Sequence, residues 1–573
     1  MCGIAGVICN SMTHLNFKNF LSMVEKIDRR GPDGKGILTN NKNFAIGGTR
    51  LAITGPDNMP IPLTDQSNRF ALVYNGEIYD LFLDEGVSDT NYLLNKLING
   101  KMHKNLNGMY AFAFVDLRDM KTVLGRDKFG IKPLYYYLNK NTLQFSSDIN
   151  SLVQYDRYDV EIDSKALFEY LTFGRRIGEE TVFKNVFSLE PGTLLKISMD
   201  SDELICTTQK LDTEKEALTN DELLSALKNS ILECAKTSRT LGVFLSGGVD
   251  SLAIVYTLAE YGIENIHTFS LILEGDGVKR LEDLELPGTS WKTWTHHTLN
   301  PSMDMIEDTF INVLNITSEP CFPMSAIYTF LLSKMASDSG VKVVLSGEGA
   351  DELFLGYESY VKFFKQSNRN PLTFYLNNNL INVLNGLIEE GHNYYECIEN
   401  QLTNILDNED NIFLGLSLLE QHLSLRPLLD RIDQTSMYHS IEVRVPFLHG
   451  EVPLLAKKLL KKLKPQELNI TKPNLRKILQ PLLKEKAMNI PKKPLRINLK
   501  QHFARNNLKE ILDILQKEVK SFFPVKEKGL YELVDRLSKN PTESDLGLAL
   551  RLYQLYYYIN KHMSKNKIYI STT

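Results

Sequence analysis

The sequence of 573 residues contains few cysteines, and their arrangement excludes two common roles. The six cysteines include no Cys-x-x-Cys pair, which argues against a structural zinc site, and they are too sparse for a disulfide framework. Such usage favours a reducing compartment, so we expect a cytoplasmic protein. They are Cys2, Cys9, Cys206, Cys234, Cys321 and Cys397.

The sequence also lacks the features of membrane and nucleic-acid proteins. No apolar run approaches the roughly 18 residues of a membrane-spanning helix, and the N-terminus has no basic start followed by an apolar core, as a signal peptide would. The formal net charge is only -5, without the basic domain or stripe of a nucleic-acid binder. The lysine-rich segment LLAKKLLKKLKPQ is typical of one amphipathic helix with a solvated face. We therefore expect small-molecule partners.

The chain is too long for one hydrophobic core, so several domains are expected. Up to about residue 200, apolar runs such as FAIGGTRLAITG and RFALVYNGEIYD alternate with turn signals, which predicts an α+β domain of antiparallel sheets. Further on, LGVFL, SLAIVYTLAEYG, HTFSLIL and VKVVL alternate between strand and helix patterns. This predicts an α/β domain with a doubly wound parallel sheet and a helical C-terminal extension. We place the domains at residues 2–205 and 219–573, with a linker at 206–218.

The chain opens MCGIAGVICN, which places Cys2 one cleavage from the N-terminus. After removal of Met1, Cys2 would carry a thiol and a free α-amine whose ordinary pKa is about 7.7–8.0. The amine could then take the proton of the thiol, which would make Cys2 a nucleophile with its own base. The alternative is that Cys2 is a small buried apolar residue at a strand start.

Two strand ends carry Ser-Gly followed by acidic residues. In LGVFLSGGVDS, a Gly-rich turn leads into a helix near Asp250, an arrangement that cradles phosphate groups. It lacks the Lys-Ser/Thr ending of a Walker loop. In VKVVLSGEGADELFLGY, Glu348, Asp351 and Glu352 cluster after the second strand. Beside a nucleotide such carboxylates predict Mg²⁺, whereas taken alone they could cap a helix.

The string SGGVDS resembles the pyrophosphate loop of the ATP pyrophosphatase superfamily. MCGIAG, RRGPDG, TRLAIT, YNGEIYD, SDT and GMYAFAFVDLRDMKTVLGRDKFGIKPLYY follow one another as in class II glutamine amidotransferase domains. With SGGVDS, LSGEGADELFLGY and MYHSIEVRVPFL downstream, the chain resembles the glutamine-hydrolysing asparagine synthetases. The resemblance implies an Ntn-type antiparallel β-sheet sandwich between helices, fused to an ATP pyrophosphatase-type domain.

For the N-terminal domain, the resemblance implies a glutaminase. Cys2 would attack the glutamine amide, while Asn75 and Gly76 would stabilise the oxyanion. Arg50 would bind the α-carboxylate and Asp89 the α-ammonium group of glutamine. The rest of the pocket would be lined by Leu51, Ala52, Ile53, Thr54 and Glu77. Taken singly, Arg50 could be a surface ion pair, Asp89 a helix cap and Asn75-Gly76 a hairpin turn.

For the second domain, the resemblance implies ligase chemistry with ATP as substrate and Mg²⁺ held by Asp250 and Asp351. Aspartate would attack ATP to give β-aspartyl-AMP and pyrophosphate, and ammonia arriving through an internal channel would displace AMP. Glu348 matches the family glutamate assigned to the intermediate, and Lys472 matches a lysine near the phosphates. The implied ATP contacts are Leu245, Ser246, Gly247, Gly248, Val249, Asp250, Ser251, Leu271, Ser346 and Gly347.

Several segments depart from the family pattern, and these changes fall on the acceptor side. The stretch between NGEIYD and SDT is short, and residues 275–297 and 490–503 do not follow the pattern. His449 stands where aspartate is usual in the family, which suggests a changed helix cap. Amidation of another carboxylate, such as a peptide or sugar acid, therefore stays open, as does a non-catalytic ATP- or glutamine-sensing homologue. A tRNA-modifying relative would need a basic RNA-binding module or cysteine pairs. Assembly as a homodimer also stays open.

Overall fold

The computed structural model describes most of the chain, with gaps. The described residues are 2–10, 13–56, 58–79, 88–100, 106–155, 161–200, 203–211, 223–273, 278–320, 323–364, 371–409, 411–483, 499–519, 523 and 525–563.

Two six-stranded antiparallel sheets form the N-terminal domain, with orders β10-β8-β9-β1-β3-β2 and β12-β11-β7-β6-β5-β4. The first contains β1 (Cys2–Cys9), β2 (Gly34–Thr39), β3 (Phe44–Arg50), β8 (Tyr135–Leu138), β9 (Thr142–Ser146) and β10 (Val186–Ser188). The second contains β4 (Leu63–Thr64), β5 (Phe70–Ile78), β6 (Gly108–Asp116), β7 (Lys121–Arg126), β11 (Thr193–Asp200) and β12 (Glu203–Lys210). The helices are α1 (Phe17–Lys26), α2 (Asp89–Ile98), α3 (Ile149–Leu152) and α4 (Ser164–Phe173), and a 3₁₀ turn spans Asp28–Arg30.

The alternation of side chains along β1 shows how the two sheets are layered. Ile4 and Ile8 pack into a core shared with the second sheet, whereas Ala5 and Val7 face the opposite way, toward α1. Because successive strand residues point to opposite faces, one strand serves both layers. The outer face of the second sheet is covered by α2. The predicted antiparallel sandwich between helices is confirmed.

The second domain contains a five-stranded parallel sheet with the order β15-β14-β13-β16-β17. Its strands are β13 (Leu241–Phe244), β14 (His267–Leu271), β15 (Thr295–Leu299), β16 (Val343–Leu345) and β17 (Glu442–Arg444). Helices up to the last strand are α5 (Leu223–Ala235), α6 (Val249–Glu260), α7 (Met303–Ile316), α8 (Ser325–Asp338), α9 (Ala350–Phe354), α10 (Glu358–Phe364), α11 (Asn378–Leu387), α12 (Gly391–Asp407), α13 (Ile412–Glu420) and α14 (Arg426–Met437), the last two joined by the π-turn Gln421–Leu425. Then come α15 (Val452–Lys462), α16 (Pro473–Leu479), α17 (Leu499–Asn506), α18 (Leu508–Lys517), α19 (Glu527–Lys539) and α20 (Glu543–Met563). Short 3₁₀ turns span Leu281–Leu284, Ser290–Thr293, Pro371–Phe374, Pro446–Leu448 and Pro465–Glu467.

Helices cover both faces of this sheet. Leu241 and Val243 pack against α5 and α6 on one face, and Phe269 and Val344 pack against α8 and α14 on the other. The chain leaves the central strand β13 toward β14 and β15, then returns to β16 on the other side. The carboxyl ends of β13 and β16 therefore flank the point where strand order reverses, which is where ligands bind in such sheets. The predicted doubly wound sheet is confirmed.

The segments singled out at the sequence level fall in different places. A linker was predicted at residues 206–218, but β12 continues to Lys210 within that stretch. Residues 212–218 lie outside the described part of the chain, so the domain boundaries stay predictions. The described part of 275–297 leads into β15, which pairs in parallel with β14. Residues 80–87 and 484–498 also lie outside the described part. Among the helices that are described, none is both long and apolar enough to cross a membrane.

Candidate active sites

The first site is built around Cys2, the first residue of β1. The backbone N–H of Cys2 donates to Oδ1 of Asn75 over 3.0 Å, and Cys2 lies opposite Arg50 in the β1–β3 ladder. Burial raises the pKa of the Cys2 thiol, and the backbone N–H of Leu51 acts in the opposite direction by hydrogen bonding to the sulfur. The nitrogen and the sulfur of Cys2 thus face separate polar partners.

Asn75 and Gly76 lie within β5, in register with Ala111 and Tyr110 of β6. The interpretation of this pair as a hairpin turn is therefore wrong, because a central ladder continues through it. Asn75 is fully buried, and its Nδ2 has no hydrogen-bond partner among the described residues. At Gly76 a Cβ atom would lie 2.2 Å from the carbonyl oxygen of Met109, so only glycine allows this approach. An unused amide donor next to Cys2 is what an oxyanion hole requires.

The loop after β3 folds back over Cys2. Nη2 of Arg50 donates to the carbonyl oxygen of Thr54 over 3.1 Å, and Oγ1 of Thr54 donates to Oε2 of Glu77 over 3.3 Å. The N–H of Ala52 donates to Oδ2 of Asp33 over 2.8 Å. Asp33 was not assigned at the sequence level, although the quoted block RRGPDG contains it. These bonds bring the predicted wall residues together beside Cys2, and Leu51 and Ile53 are buried in the same segment.

Two buried carboxylates complete the first site. Asp89 begins α2 and accepts a hydrogen bond from the Tyr74 hydroxyl over 2.9 Å. The N-cap of that helix is Ser88, so Asp89 is not the capping residue. Burial raises the pKa of Asp89, which the Tyr74 hydrogen bond opposes. Burial likewise raises the pKa of Glu77 far above its usual range, while Arg444 acts to lower it. Each acid can bind a cationic or amide group of a substrate in a site with little water.

Arg444 of β17 belongs to both halves of the molecule, which sequence reasoning missed. Its Nη2 lies 3.6 Å from Oε2 of Glu77, and its guanidinium lies 5.5 Å from the centre of the Tyr79 ring. Its Nε donates to Oε1 of Glu442 over 2.6 Å, while its carbonyl oxygen accepts from the N–H of Ser346 over 2.9 Å. One fully buried residue therefore contacts the first site with its side chain and a strand end of the second with its backbone.

Other residues of the second domain also hold the loop after β3. Nε of Arg239 donates to the carbonyl oxygen of Ala52 over 2.9 Å, and Oγ of Ser238 donates to that of Ile53 over 3.4 Å. Both donors follow α5, directly before β13. The wall of the first site is thus fixed by contacts across the two domains.

The second site begins with the turn between β13 and α6. Leu245 to Gly248 form the turn, and Gly247 has φ +80°, which favours glycine. Oγ of Ser251 donates to the carbonyl oxygen of Gly248 over 3.0 Å and lies 3.2 Å from Oγ of Ser246. Val249 opens the helix, so the backbone N–H groups of its first turn point toward the turn, as in a phosphate-binding loop. Leu271 ends the neighbouring strand β14.

The turn after β16 meets the first turn closely. A Cβ on Gly347 would lie 2.8 Å from Cβ of Asp250. Glycine is therefore needed at position 347, because the two strand-end turns pack against each other there. Ser346 is buried beside it. The two Ser-Gly segments, separated by about a hundred residues in sequence, therefore form one site at the reversal point of the sheet.

Lys472 lies between two carboxylates of this site. Its ammonium group contacts Oδ2 of Asp250 and lies 3.0 Å from Oδ1 of Asp351. Burial acts to lower the pKa of Lys472, but Asp250 and Asp351 outweigh it and raise the pKa above its usual range. Lys472 directly precedes α16 and has a φ of +53°. Gly356 has no side chain, which leaves space for the side chains of Lys472 and Asp351.

The same carboxylates fit a magnesium ion. Their oxygens converge on one cationic group, and carboxylate oxygen is the ligand that Mg²⁺ prefers. Within the described residues no cluster of three or more His, Cys, Asp or Glu side chains suits a metal. Asp250 and Asp351 are the two residues that would hold such an ion.

Two further acids follow Gly347. Glu348 forms an ion pair with Arg431 of α14. Glu352 is buried and accepts a hydrogen bond from the Tyr357 hydroxyl, and burial, with Asp351 nearby, raises the pKa of Glu352 to about 8. Glu348 is the more exposed of the two acids, and so the one more open to a substrate.

His449 is the C-cap of the 3₁₀ turn Pro446–Leu448, where its backbone N–H donates to the carbonyl oxygen of Pro446, and it is not the N-cap of α15. Helix α15 begins at Val452, after Glu451. Nε2 of His449 lies 2.6 Å from Oε2 of Glu233, and its ring packs edge-on against Tyr79 with centroids 4.4 Å apart. His449 is thus another contact between the domains.

Comparison with known proteins gives matches for both parts of the chain. A family described as glutamine amidotransferase domain matches residues 1–208, and one described as asparagine synthase matches residues 222–546. Asparagine synthetase [glutamine-hydrolyzing] 1 of Bacillus subtilis (strain 168) is 26% identical over 620 aligned residues, covering 98% of this chain and 97% of that protein. A putative asparagine synthetase [glutamine-hydrolyzing] 2 of Methanocaldococcus jannaschii is 29% identical over 411 residues, covering 64% of this chain and 77% of that protein. The resemblance drawn from the sequence motifs is confirmed.

Proposed function

The chain belongs to the asparagine synthase family, and from that premise we propose that it is a glutamine-dependent asparagine synthetase. Its substrates are then glutamine, aspartate and ATP, and its products are asparagine, glutamate, AMP and pyrophosphate. The observation that carries the proposal is that two sets of residues lie in contact within one chain. Asp250, Gly347, Asp351 and Lys472 form the first set, and Cys2, hydrogen-bonded to Asn75, forms the second. The first group suits adenylation, and the second suits amide hydrolysis.

In the glutaminase half, Cys2 is the nucleophile. With Met1 removed, the α-amine of Cys2 accepts the thiol proton, and the sulfur attacks the side-chain carbonyl carbon of glutamine. Asn75 Nδ2 and the Gly76 N–H hold the oxyanion. Collapse of the tetrahedral intermediate breaks the C–N bond, ammonia leaves with the returned proton, and water hydrolyses the thioester to glutamate. Arg50 and Asp89 bind the two charged groups on the α-carbon.

In the ligase half, the side-chain carboxylate of aspartate attacks the α-phosphorus of ATP and pyrophosphate leaves. The turns at Ser246 and Ser346 hold the phosphates, and Lys472 offsets their charge. Magnesium, when bound at Asp250 and Asp351, supplies further neutralisation of phosphate charge. Ammonia then attacks the acyl carbon, AMP leaves and the amide loses a proton. Glu348 would accept that proton, in the role that the family resemblance gives it.

The proposal also covers the cellular setting. Cys2, Cys206, Cys234 and Cys397 form no disulfide among the residues that the structure describes, which supports a reducing compartment such as the cytoplasm. A homodimer stays a prediction from the sequence.

Measurement of pyrophosphate release with glutamine or ammonia as nitrogen source tests the proposal. Cys2→Ala is expected to abolish glutamine-dependent asparagine formation and leave ammonia-dependent formation largely intact, because the two sites use different residues. Asp250→Ala is expected to stop pyrophosphate release with either source. Loss of both activities in Cys2→Ala would refute the two-site scheme. If aspartate is inert in a panel of carboxylic acids that includes an active one, the acceptor is another acid.

A further inference from the structure

Both backbone polar groups of Cys2 are bonded to side chains. Its N–H donates to Oδ1 of Asn75 over 3.0 Å, and its carbonyl oxygen accepts from Nε of Arg30 over 3.3 Å. The first residues of a chain are ordinarily poorly ordered unless such contacts hold them, and Cys2 is the first residue once Met1 is removed. Arg30 is therefore one of two side chains that fix the backbone of the nucleophile.

The counter-charge of Arg30 comes from the second domain. Arg30 ends the 3₁₀ turn Asp28–Arg30 and is only 7% exposed, and a buried guanidinium needs an acidic partner. Its Nη1 lies 2.8 Å from Oδ2 of Asp433, and among the described residues it forms no other ion pair. Asp433 lies on α14 and is 2% exposed. The side chain that holds Cys2 is thus itself held by a residue of the other domain.

A second buried cation shares the carboxylate of Asp433. Nζ of Lys132 lies 3.6 Å from Oδ1 of Asp433, and Lys132 is 1% exposed. Burial lowers the pKa of Lys132, while the charge of Asp433 acts to raise it and the charge of Arg30 acts to lower it. Arg30 and Lys132 therefore repel each other, and Asp433 holds both in place. Without that negative charge, the stable position of Arg30 is lost, and with it the hydrogen bond to Cys2.

The main chain of the 3₁₀ turn has separate supports. Oγ of Ser440 donates to the carbonyl oxygen of Arg29 over 2.8 Å, and the guanidinium of Arg29 lies 4.4 Å from the centre of the Tyr438 ring. Tyr438 and Ser440 both follow α14. Removing the charge of Asp433 therefore leaves these supports intact and acts on the side chain of Arg30.

We propose that Asp433 is a positioning residue for the glutaminase: by pairing with Arg30, it holds the main chain of Cys2 in the geometry for attack on glutamine. This inference rests on the proposed function for the role of Cys2. Neither Asp433 nor Arg30 is among the residues assigned to bind glutamine. The effect is therefore on the rate of the chemical step, because a reacting group displaced by about 1 Å can react about 100-fold more slowly.

Asp433→Asn is the diagnostic variant, because asparagine keeps the size of the side chain and removes its charge. We expect kcat for glutamate release from glutamine to fall at least ten-fold and the KM for glutamine to stay within two-fold. Ammonia-dependent pyrophosphate release should also stay within two-fold. Asp545→Asn is the matched control, since Asp545 is a 5% exposed acid paired with Arg536 over 3.0 Å, and it should change none of these.

A double-mutant cycle tests whether Asp433 acts through Arg30. Arg30→Gln should lower kcat as Asp433→Asn does, and the double variant should be no slower than the slower single variant, because both remove one interaction. Arg30→Lys should keep the ion pair with Asp433 but lose kcat at least ten-fold, since one ammonium group cannot bridge the carboxylate and Cys2 as the guanidinium fork does. Arg30→Lys also decides the matter if Asp433→Asn does not fold.

The position of Cys2 is measured without catalysis by treating each folded protein with an aminopeptidase and following the loss of Cys2 by intact mass. In the wild type the anchored terminus should resist trimming. Asp433→Asn and Arg30→Gln should lose Cys2 at least ten-fold faster, because one anchor is gone. Asp545→Asn should match the wild type.

Four results would overturn the inference: an unchanged kcat in Asp433→Asn, a raised KM in place of a lowered kcat, additive losses in the double variant, or trimming of the variants at the wild-type rate. A parallel fall in ammonia-dependent pyrophosphate release would also overturn it, because Asp433 would then serve the fold. Failure of the proposed function gives a different result. In that case the wild type releases no glutamate from glutamine, but the trimming rates still depend on Asp433 and Arg30.

Discussion

Replacement of Asn75 tests whether the first site is an oxyanion hole. The side chain is fully buried in β5; its Oδ1 accepts from the N–H of Cys2 over 3.0 Å, and its Nδ2 has no partner among the described residues. Asn75→Ala removes a donor that makes no ground-state contact within the described protein. The loss should therefore appear mainly in kcat for glutamine hydrolysis. Removal of one such donor typically costs about 10²–10³ in kcat, or about 2.7–4 kcal/mol.

Two variants separate the roles of the two amide atoms. Asn75→Asp keeps an oxygen that can accept the hydrogen bond from the Cys2 nitrogen, but it has no amide donor. It also adds a negative charge near Glu77, whose pKa is already raised by burial. It should lose at least as much kcat as Asn75→Ala. Asn95→Ala, on the exposed face of α2, is the matched control and should behave as wild type.

The assay follows glutamate release from glutamine, with ammonia-dependent pyrophosphate release as the control for folding. We expect the first to fall and the second to stay within two-fold in both variants. A decrease below about ten-fold in Asn75→Ala would refute the oxyanion assignment. A parallel fall in the ammonia-dependent reaction would mean that Asn75 serves the fold instead.

Three other predictions concern titration and packing. Because burial raises the pKa of the Cys2 thiol and the thiolate is the nucleophile, kcat/KM for glutamine hydrolysis should rise with pH and keep rising above the ordinary thiol pKa of about 8.5; a profile that levels off below this pH or falls contradicts the assignment. Gly347→Ala would place a Cβ 2.8 Å from that of Asp250, so pyrophosphate release should drop at least ten-fold with either nitrogen source. Unchanged release would show that the two turns need not be in contact. Glutamate release from glutamine is the control. Lys472→Met leaves two half-buried carboxylates without their shared ammonium. The melting temperature should therefore fall and recover in part with Mg²⁺, and an unchanged melting temperature would argue against the pairing.

Local sequence patterns predicted the fold well, because each part is encoded over short distances. The apolar runs FAIGGTRLAITG and RFALVYNGEIYD, bounded by turn signals, predicted the strands of the first domain, and the change to strand-helix alternation marks the second domain. The Ser-Gly turns at Ser246 and Ser346 were also found from local sequence, since glycine directly after a short apolar strand is a strong signal of a tight turn.

The contacts across domains were not predictable in the same way. Arg444 and Glu77 are separated by hundreds of residues, and no spacing rule relates them. The pair Asn75-Gly76 shows the converse failure: locally it favours a turn, but the ladder with β6 overrides that preference.

The position of Arg444 has a consequence for protein engineering. Its guanidinium completes the environment of Glu77, while its main chain holds the N–H of Ser346. A glutaminase half cut away and grafted onto another synthetase would lose the counter-charge of a buried acid, and the remaining half would keep a buried cation facing an empty surface. Chimaeras of this enzyme should therefore exchange β17 together with the N-terminal half, so that Arg444 and Glu77 come from the same parent protein.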